Sequence, residues 1–235
     1  MPVTLIAGGV RGLGRAAAEA LLEAGHEVHV TWRRSREEAE LLARRWPGRV
    51  WPLDLDEPNA GRALISKLAA ERGGLDHLVV AAGDFLSGSL EDLSAAEFEG
   101  LWRSNVAQPL ALFGAARPFL RARRGSALFF GCAGLEGHPG KRRSAAYAAC
   151  KSALLSLVRS MALEEGPQGL RVNLVSPGWI PHASAHPETL SRAGQVQIPL
   201  GRPGLPEEVA RAVVFLLGPG AAYVSGANLS VSGGL

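Results

Sequence analysis

Cysteine is scarce in this 235-residue chain, which carries only Cys132 and Cys150. Two thiols build neither a disulfide framework nor a zinc cluster, so no metal site is expected. A dominant charge is missing as well: 25 Lys and Arg stand against 22 Asp and Glu, with a sequence pI near 9.2. So mild an excess is not the footprint of a nucleic-acid binder and suits an anionic small ligand better. Long apolar runs are absent too. Gly, Arg or Ser interrupts each one well before the ~20 residues that a membrane crossing needs, so no membrane partner is expected. No charged-then-apolar leader precedes the first apolar run at Val3, and the expected location is cytoplasmic. Fixed-period repeats and low-complexity linkers are lacking. With 47% hydrophobic residues, a chain of this length buries a substantial core, and residues 1–235 are read as a single domain.

What is present alternates. Short β-branched or apolar runs begin at Val3 (VTLIAG), Glu27 (EVHVTW), Arg49 (RVWPLDL), Leu75 (LDHLVVAAG), Gly125 (GSALFFG), Arg171 (RVNLVSPG) and Asn228 (NLSVSGG), and are read as seven strands. Helix-period stretches such as RAAAEALLEAG, SREEAELLARRW and SAAYAACKSALLSLVRSMALEEG lie between them. Pro206-Glu207-Glu208 opens a last helix, with proline preset for the first turn and acids favoured by the dipole. The alternation predicts an α/β fold: a doubly wound, seven-stranded parallel sheet flanked by helices on both faces. GHPGKRR and PLGRPGLPEE mark surface turns.

In LIAGGVRGLGRAAAEALLEAG, Gly8, Gly12 and Gly14 follow the first strand and open the first helix. That is the context of a phosphate-cradling turn. Missing side chains let the backbone approach a pyrophosphate, whose charge is met by free N–H groups at the helix start. Glycines here also serve tight strand-to-helix packing without a ligand. Far downstream, YAACK puts Tyr147 and Lys151 on one face of a helix. A phenol titrates near ~10 and needs a cation beside it to stabilise the phenolate, a charge that Lys151 supplies. Such a pair is by itself common on helix surfaces.

Together, AGGVRGLG, YAACK, SPGWI and PLGRPGLPEEVARAVVFLL make the chain resemble the short-chain dehydrogenase/reductase family over essentially its whole length, most of all its 3-oxoacyl-acyl-carrier-protein reductases. The resemblance implies a Rossmann-type domain that binds a nicotinamide dinucleotide and assembles as a homotetramer. It places the cofactor on Gly8, Arg11, Gly12, Leu13 and Gly14 in the loop, and on Asp54 and Leu55 after the third strand. Ala82 and Gly83 follow the fourth strand, and Pro177, Gly178 and Ile180 end the sixth. Tyr147 and Lys151 serve both cofactor and catalysis. Asn105, in WRSNVAQP, supports a water-linked proton path to the lysine; its plain reading is a helix interruption near Pro109. Asp54 likewise reads as an adenine-side acid or as a simple turn residue.

The end of the second strand decides the form of the cofactor. An acid there would hydrogen-bond a ribose 2′-OH, whereas TWRRSRE offers Arg33, Arg34 and Ser35, which suit a 2′-phosphate. Arg11 adds a basic residue in the loop. NADPH is therefore expected, a solvated arginine cluster being the plain alternative.

Several positions depart from the family pattern. The opening threonine is Ala7, NNAG becomes Val80-Ala81-Ala82-Gly83, and VDGG becomes VSGG with Ser232. The threonine after PG falls at His182, and the lid segment from Ala183 to Gln197 is short and carries His186. Aligning GSALFFGCAG puts Cys132 where the family has the serine that hydrogen-bonds the substrate carbonyl. A thiol is a weak donor. If it holds that place, a slow reductase is expected that Cys132→Ser speeds up; the rival is that Ser144 or His182 polarises the carbonyl.

The function implied is reduction of a carbonyl, an oxoacyl thioester or a ketone, to an alcohol, with hydride from NADPH and a proton from Tyr147. The small-molecule substrate travels free or on an acyl carrier protein or CoA. Arg121, Arg123 and Arg124, and Lys141, Arg142 and Arg143, offer charge to an acidic carrier. Two alternatives stand beside this reading. One is a pteridine or other small-carbonyl reductase. The other is a non-catalytic NADPH-binding oligomeric protein with a degenerate site, against which the retained Asn105, Tyr147 and Lys151 argue.

Overall fold

The computed structural model describes residues 1–137, 140–181 and 197–235. The seven strands are β1 (Val3–Ala7), β2 (Glu27–Trp32), β3 (Val50–Pro52), β4 (His77–Val80), β5 (Ser126–Phe130), β6 (Arg171–Pro177) and β7 (Asn228–Val231). They form one parallel sheet in the order β3-β2-β1-β4-β5-β6-β7. The chain winds outward from β1 to β3, then crosses back to β4 and winds the other way. This reversal opens a crevice above the carboxyl ends of β1 and β4, where doubly wound folds take ligands. The run from Arg49 pairs only over Val50–Pro52. Pro52 has no N–H for a ladder, and β3 accordingly lies at the sheet edge.

The helices are α1 (Gly12–Glu23), α2 (Arg36–Arg45), α3 (Ala60–Arg72), α4 (Ala95–Trp102), α5 (Gln108–Arg123), α6 (Ala145–Glu165) and α7 (Pro206–Leu217), with a π-helical turn at Arg103–Ala107. Successive strand residues point to opposite faces. Val3, Leu5 and Ala7 thus join a core with Ile65 of α3, Leu112 of α5 and Leu154 of α6. Ile6 joins the other core, with Leu21 of α1, Leu42 of α2 and Val213 of α7. Every residue of β1 and β5 is buried, as the two-sided cover requires. Each large apolar side chain so buried contributes ~1.5–3 kcal/mol, which holds the strand ends of the crevice firmly.

Buried Glu165, in the last turn of α6, accepts hydrogen bonds from Arg121 Nε and Nη2 of α5 at 2.6 and 3.0 Å. This lashes to α5 the helix that carries Tyr147 and Lys151. Arg123 donates to the Gly73 carbonyl. Both arginines stand at the amino end of β5, on the far side of the sheet from the crevice.

Candidate active site

The crevice is a cleft of about 910 Å³, large for a small-molecule or cofactor site. Gly8, Arg11, Gly12, Leu13 and Gly14 line one end with Arg33, Arg34, Ser35 and Leu55. Ala82 and Gly83 line its middle, and Cys132, Tyr147, Lys151, Pro177, Gly178 and Ile180 its other end. Of the residues expected in the site, Asp54 and Asn105 stand outside this lining.

The glycines earn their places sterically. Gly8 and Gly12 have φ of 83 and 57°, in the left-handed region that favours glycine. A Cβ on Gly14 would come within 2.2 Å of the Gly8 carbonyl oxygen, so α1 starts directly against the end of β1. No side chain caps α1, whose N-cap is Arg11, and its first turn holds no acid. Its uncapped N–H groups and positive dipole end meet the cleft, the donor set that fits a pyrophosphate. The hydroxyl that Ala7 lacks comes from β2, where Thr31 Oγ1 accepts from the Gly8 N–H at 3.2 Å. Nothing in the sequence distinguishes Thr31 from any other strand threonine.

At the loop after β2, Arg33 already has partners. Its guanidinium is 3.1 Å from Asp56, 3.8 Å from Asp54 and 3.6 Å from Asp84. Arg34 lies 3.9 Å from Asp84. Asp54 turns its carboxylate to its own loop, accepting from the Asp56 N–H at 3.0 Å. The basic cluster is therefore balanced by three carboxylates. Asp84, which also lines the cleft, was missed from sequence, although an acid directly after Gly83 is a visible signal.

Tyr147 and Lys151 stand in the first turns of α6. Lys151 is buried, donates to the Phe130 carbonyl oxygen at 2.8 Å and holds its Nζ 5.4 Å from the Tyr147 ring centroid. Phe85 packs edge-on against the tyrosine ring at 5.0 Å. Burial, ahead of the thiols of Cys132 and Cys150, pushes the phenol well above its ordinary range. Burial also lowers Lys151 to about 8, against the pull of the same two thiols. The raised phenol is protonated at neutral pH, the form in which the sequence reading takes Tyr147, with Lys151 beside it.

Asn105 sits fully buried in the π-helical turn. Its Nδ2 donates across to the Asp84 carbonyl at 2.9 Å and back to Leu101 of its own helix at 3.0 Å. It thus interrupts the helix and reaches the site at once. Its Oδ1 has no hydrogen-bond partner among the described residues. Cys132 is half-buried, and burial raises its thiol above the ordinary range despite the pull of Lys141 and Lys151, so it stays neutral. Phe85, Trp179 and Leu235 add apolar lining, and Lys141, Arg143 and Ser144 add polar lining. His182, His186 and most of the lid lie outside the described residues. Among the described residues, no helix is long and apolar enough to cross a membrane, and no group of three or more metal-ligating side chains occurs.

The family model described as enoyl-(acyl carrier protein) reductase matches residues 7–235. A short-chain dehydrogenase/reductase from Serratia marcescens BCRC 10948 has a TM-score of 0.88 at 31% identity, over 99% of this chain and 97% of that one. The chain belongs to the short-chain dehydrogenase/reductase family. It is similar to a 3-oxoacyl-acyl-carrier-protein reductase of Vibrio cholerae serotype O1, at 33% identity over 99% of this chain and 96% of that protein. An L-fucose dehydrogenase of Bos taurus is 33% identical over 99% of this chain and 88% of that protein. A blue fluorescent protein from a metagenomic library, solved in complex with NADPH, has a TM-score of 0.88 at 29% identity, over 99% of this chain and 97% of that one. As a short-chain dehydrogenase/reductase the protein is an oxidoreductase with a nicotinamide cofactor, which the uncapped α1 start and glycine cradle fit.

Proposed function

We propose that this enzyme uses NADPH to reduce a carbonyl, that of an oxoacyl thioester or small ketone, to an alcohol. The observation that carries the reading is Tyr147, half-buried and protonated at the cleft, with the Lys151 ammonium 5.4 Å from its ring centroid. NADPH when bound supplies the hydride. The start of α1 holds its pyrophosphate, Arg11, Arg33, Arg34 and Ser35 its 2′-phosphate, and Pro177, Gly178 and Ile180 its nicotinamide end. Tyr147 Oη gives its proton to the carbonyl oxygen as that oxygen gains charge. Lys151 stabilises the phenolate left behind. Asn105 Oδ1, beside Gly83 and Lys151, anchors a water that returns the proton.

NADPH in a structural neighbour's complex and an oxoacyl thioester in a relative's name support the same chemistry. The free thiols of Cys132 and Cys150 suit a cytoplasmic setting. We also propose a homotetramer, since Ala145, Ala148, Ala149 and Ser152 give α6 a small-residue surface for close approach; a monomer by light scattering at micromolar concentration contradicts it. The enzymatic test is NADPH oxidation over a panel of ketones, oxoacyl thioesters and pterins. Turnover of a thioester or ketone supports the reading, turnover of pterins alone replaces it with a pteridine reductase, and silence with NADPH bound leaves a non-catalytic binding protein.

A further inference from the structure

We infer that Ser144 supplies the hydroxyl that position 132 lacks, its Oγ–H being the second hydrogen-bond donor to the substrate's carbonyl oxygen. The inference rests on the reductase reading. Ser144 is the N-cap of α6, with φ −138 and ψ 35. A serine in that place ordinarily turns its side-chain oxygen back to the free N–H groups of the first turn. Ser144 makes no such bond. Only its backbone carbonyl engages the helix, accepting from the Ala148 N–H at 2.8 Å. The residue lines the cleft together with Tyr147 and Cys132, and no described residue takes up its hydroxyl. Three positions ahead of Tyr147, it shares that residue's face of the helix.

Cys132 meets the same cleft as a neutral thiol and is the poorer donor. In this arrangement both donors come from one helix rather than from a strand end and a helix. Ser144 keeps its proton and only hydrogen-bonds the developing negative charge. The proton that makes the alcohol comes from Tyr147, and the hydride from NADPH, so the step balances with no further reactant.

The test is steady-state kinetics on the carbonyl compound that turns over best, alongside NADPH affinity by fluorescence and thermal melts. Ser144→Ala is expected to lose about a hundredfold to a thousandfold in kcat, as for a preorganised donor to an oxyanion, with KM and NADPH affinity nearly unmoved. Ser144→Thr keeps the hydroxyl and is expected to recover most of the rate. Cys132→Ser is expected to change kcat by less than about threefold, because the oxygen already has its second donor. Should the alanine variant fail to fold, Ser144→Gly caps almost as well as serine and lacks the hydroxyl. A loss of less than about tenfold in the hydroxyl-free variant overturns the assignment. Silence of the wild type across the whole panel instead fells the reductase reading itself, and the role of Ser144 with it.

Discussion

Asn105 Oδ1 and Lys151 Nζ converge on the same point: a methyl group added to Gly83 would lie 2.6 Å from the first and 3.6 Å from the second. Oδ1 is buried without a partner among the described residues, a state that costs ~1–3 kcal/mol unless a water completes it. Gly83 keeps that space open. Its backbone is outside the left-handed region, so alanine there acts through its side chain alone. Gly83→Ala is expected to lower kcat by at least about tenfold, since misplacing a catalytic group by an ångström costs up to about a hundredfold. Kinetics and thermal melts of the variant check this. A folded Gly83→Ala enzyme with wild-type kcat would show that proton supply does not pass this point.

The same lysine sets the expected pH profile. Burial brings Lys151 to about 8, so its charge is present below that pH and lost above it. Tyr147, pushed upward, stays protonated throughout. The reductive kcat/KM is therefore expected to be level below neutrality and to fall above about pH 8. Lys151→Arg, which does not titrate in this range, is expected to lose rate but also to lose the fall. Tyr147→Phe is expected to abolish turnover at every pH and leave NADPH affinity nearly intact. A wild-type profile still level at about pH 10 would show that Lys151 keeps its charge up to the ordinary range of a lysine, and would overturn the lowering by burial.

Much of this was legible in the sequence because it rests on local rules. The strands carry their own alternation, the glycines mark where backbone must approach backbone, and a spacing of four puts Tyr147 and Lys151 together. What stayed hidden depends on where distant side chains meet. Thr31 repairs the loop from a neighbouring strand, Asp84 reaches Arg33 from the loop after β4, and the burial that lowers Lys151 is a property of the closed core. Asn105 was visible as a helix interruption and as a candidate site residue; only the π-helical turn shows how its Oδ1 comes to lie beside Gly83.

Three carboxylates around Arg33 bear directly on cofactor choice. A 2′-phosphate has to draw the guanidinium away from Asp54, Asp56 and Asp84, all of them on the surface and partly screened. Arg33→Ala is expected to weaken NADPH by roughly tenfold to a hundredfold, the loss of one charge-assisted contact of ~1.5–3 kcal/mol, and to leave NADH nearly unchanged. Asp84→Asn is expected to act the other way and tighten NADPH. Fluorescence titrations of both cofactors at low and moderate salt decide this, since screening weakens such contacts. Equal wild-type affinities for NADPH and NADH would remove the proposed preference.

His26 and His77 lie side by side near the amino end of the sheet, their rings 5.3 Å apart. His26 Nδ1 is 2.9 Å from the Thr4 hydroxyl, and His77 Nδ1 is 2.9 Å from that of Ser126. Burial, helped by the neighbouring His26 and Arg171 and opposed by Asp76, lowers His77 from 6.5 to about 4. Burial lowers His26 as well, with Asp76 opposing it. Between those two pH values the unfolded chain binds a proton that the native one refuses, so stability falls as pH falls from 6.5 toward 4. At roughly 1.4 kcal/mol per pH unit, His77 alone accounts for about 3 kcal/mol of this loss. Thermal melts between neutrality and pH 4 are expected to show a steep drop in Tm for the wild type. His77→Gln, neutral at every pH and able to hydrogen-bond Ser126, is expected to start lower and fall less. Parallel curves for the two proteins would assign the acid sensitivity to carboxylates instead.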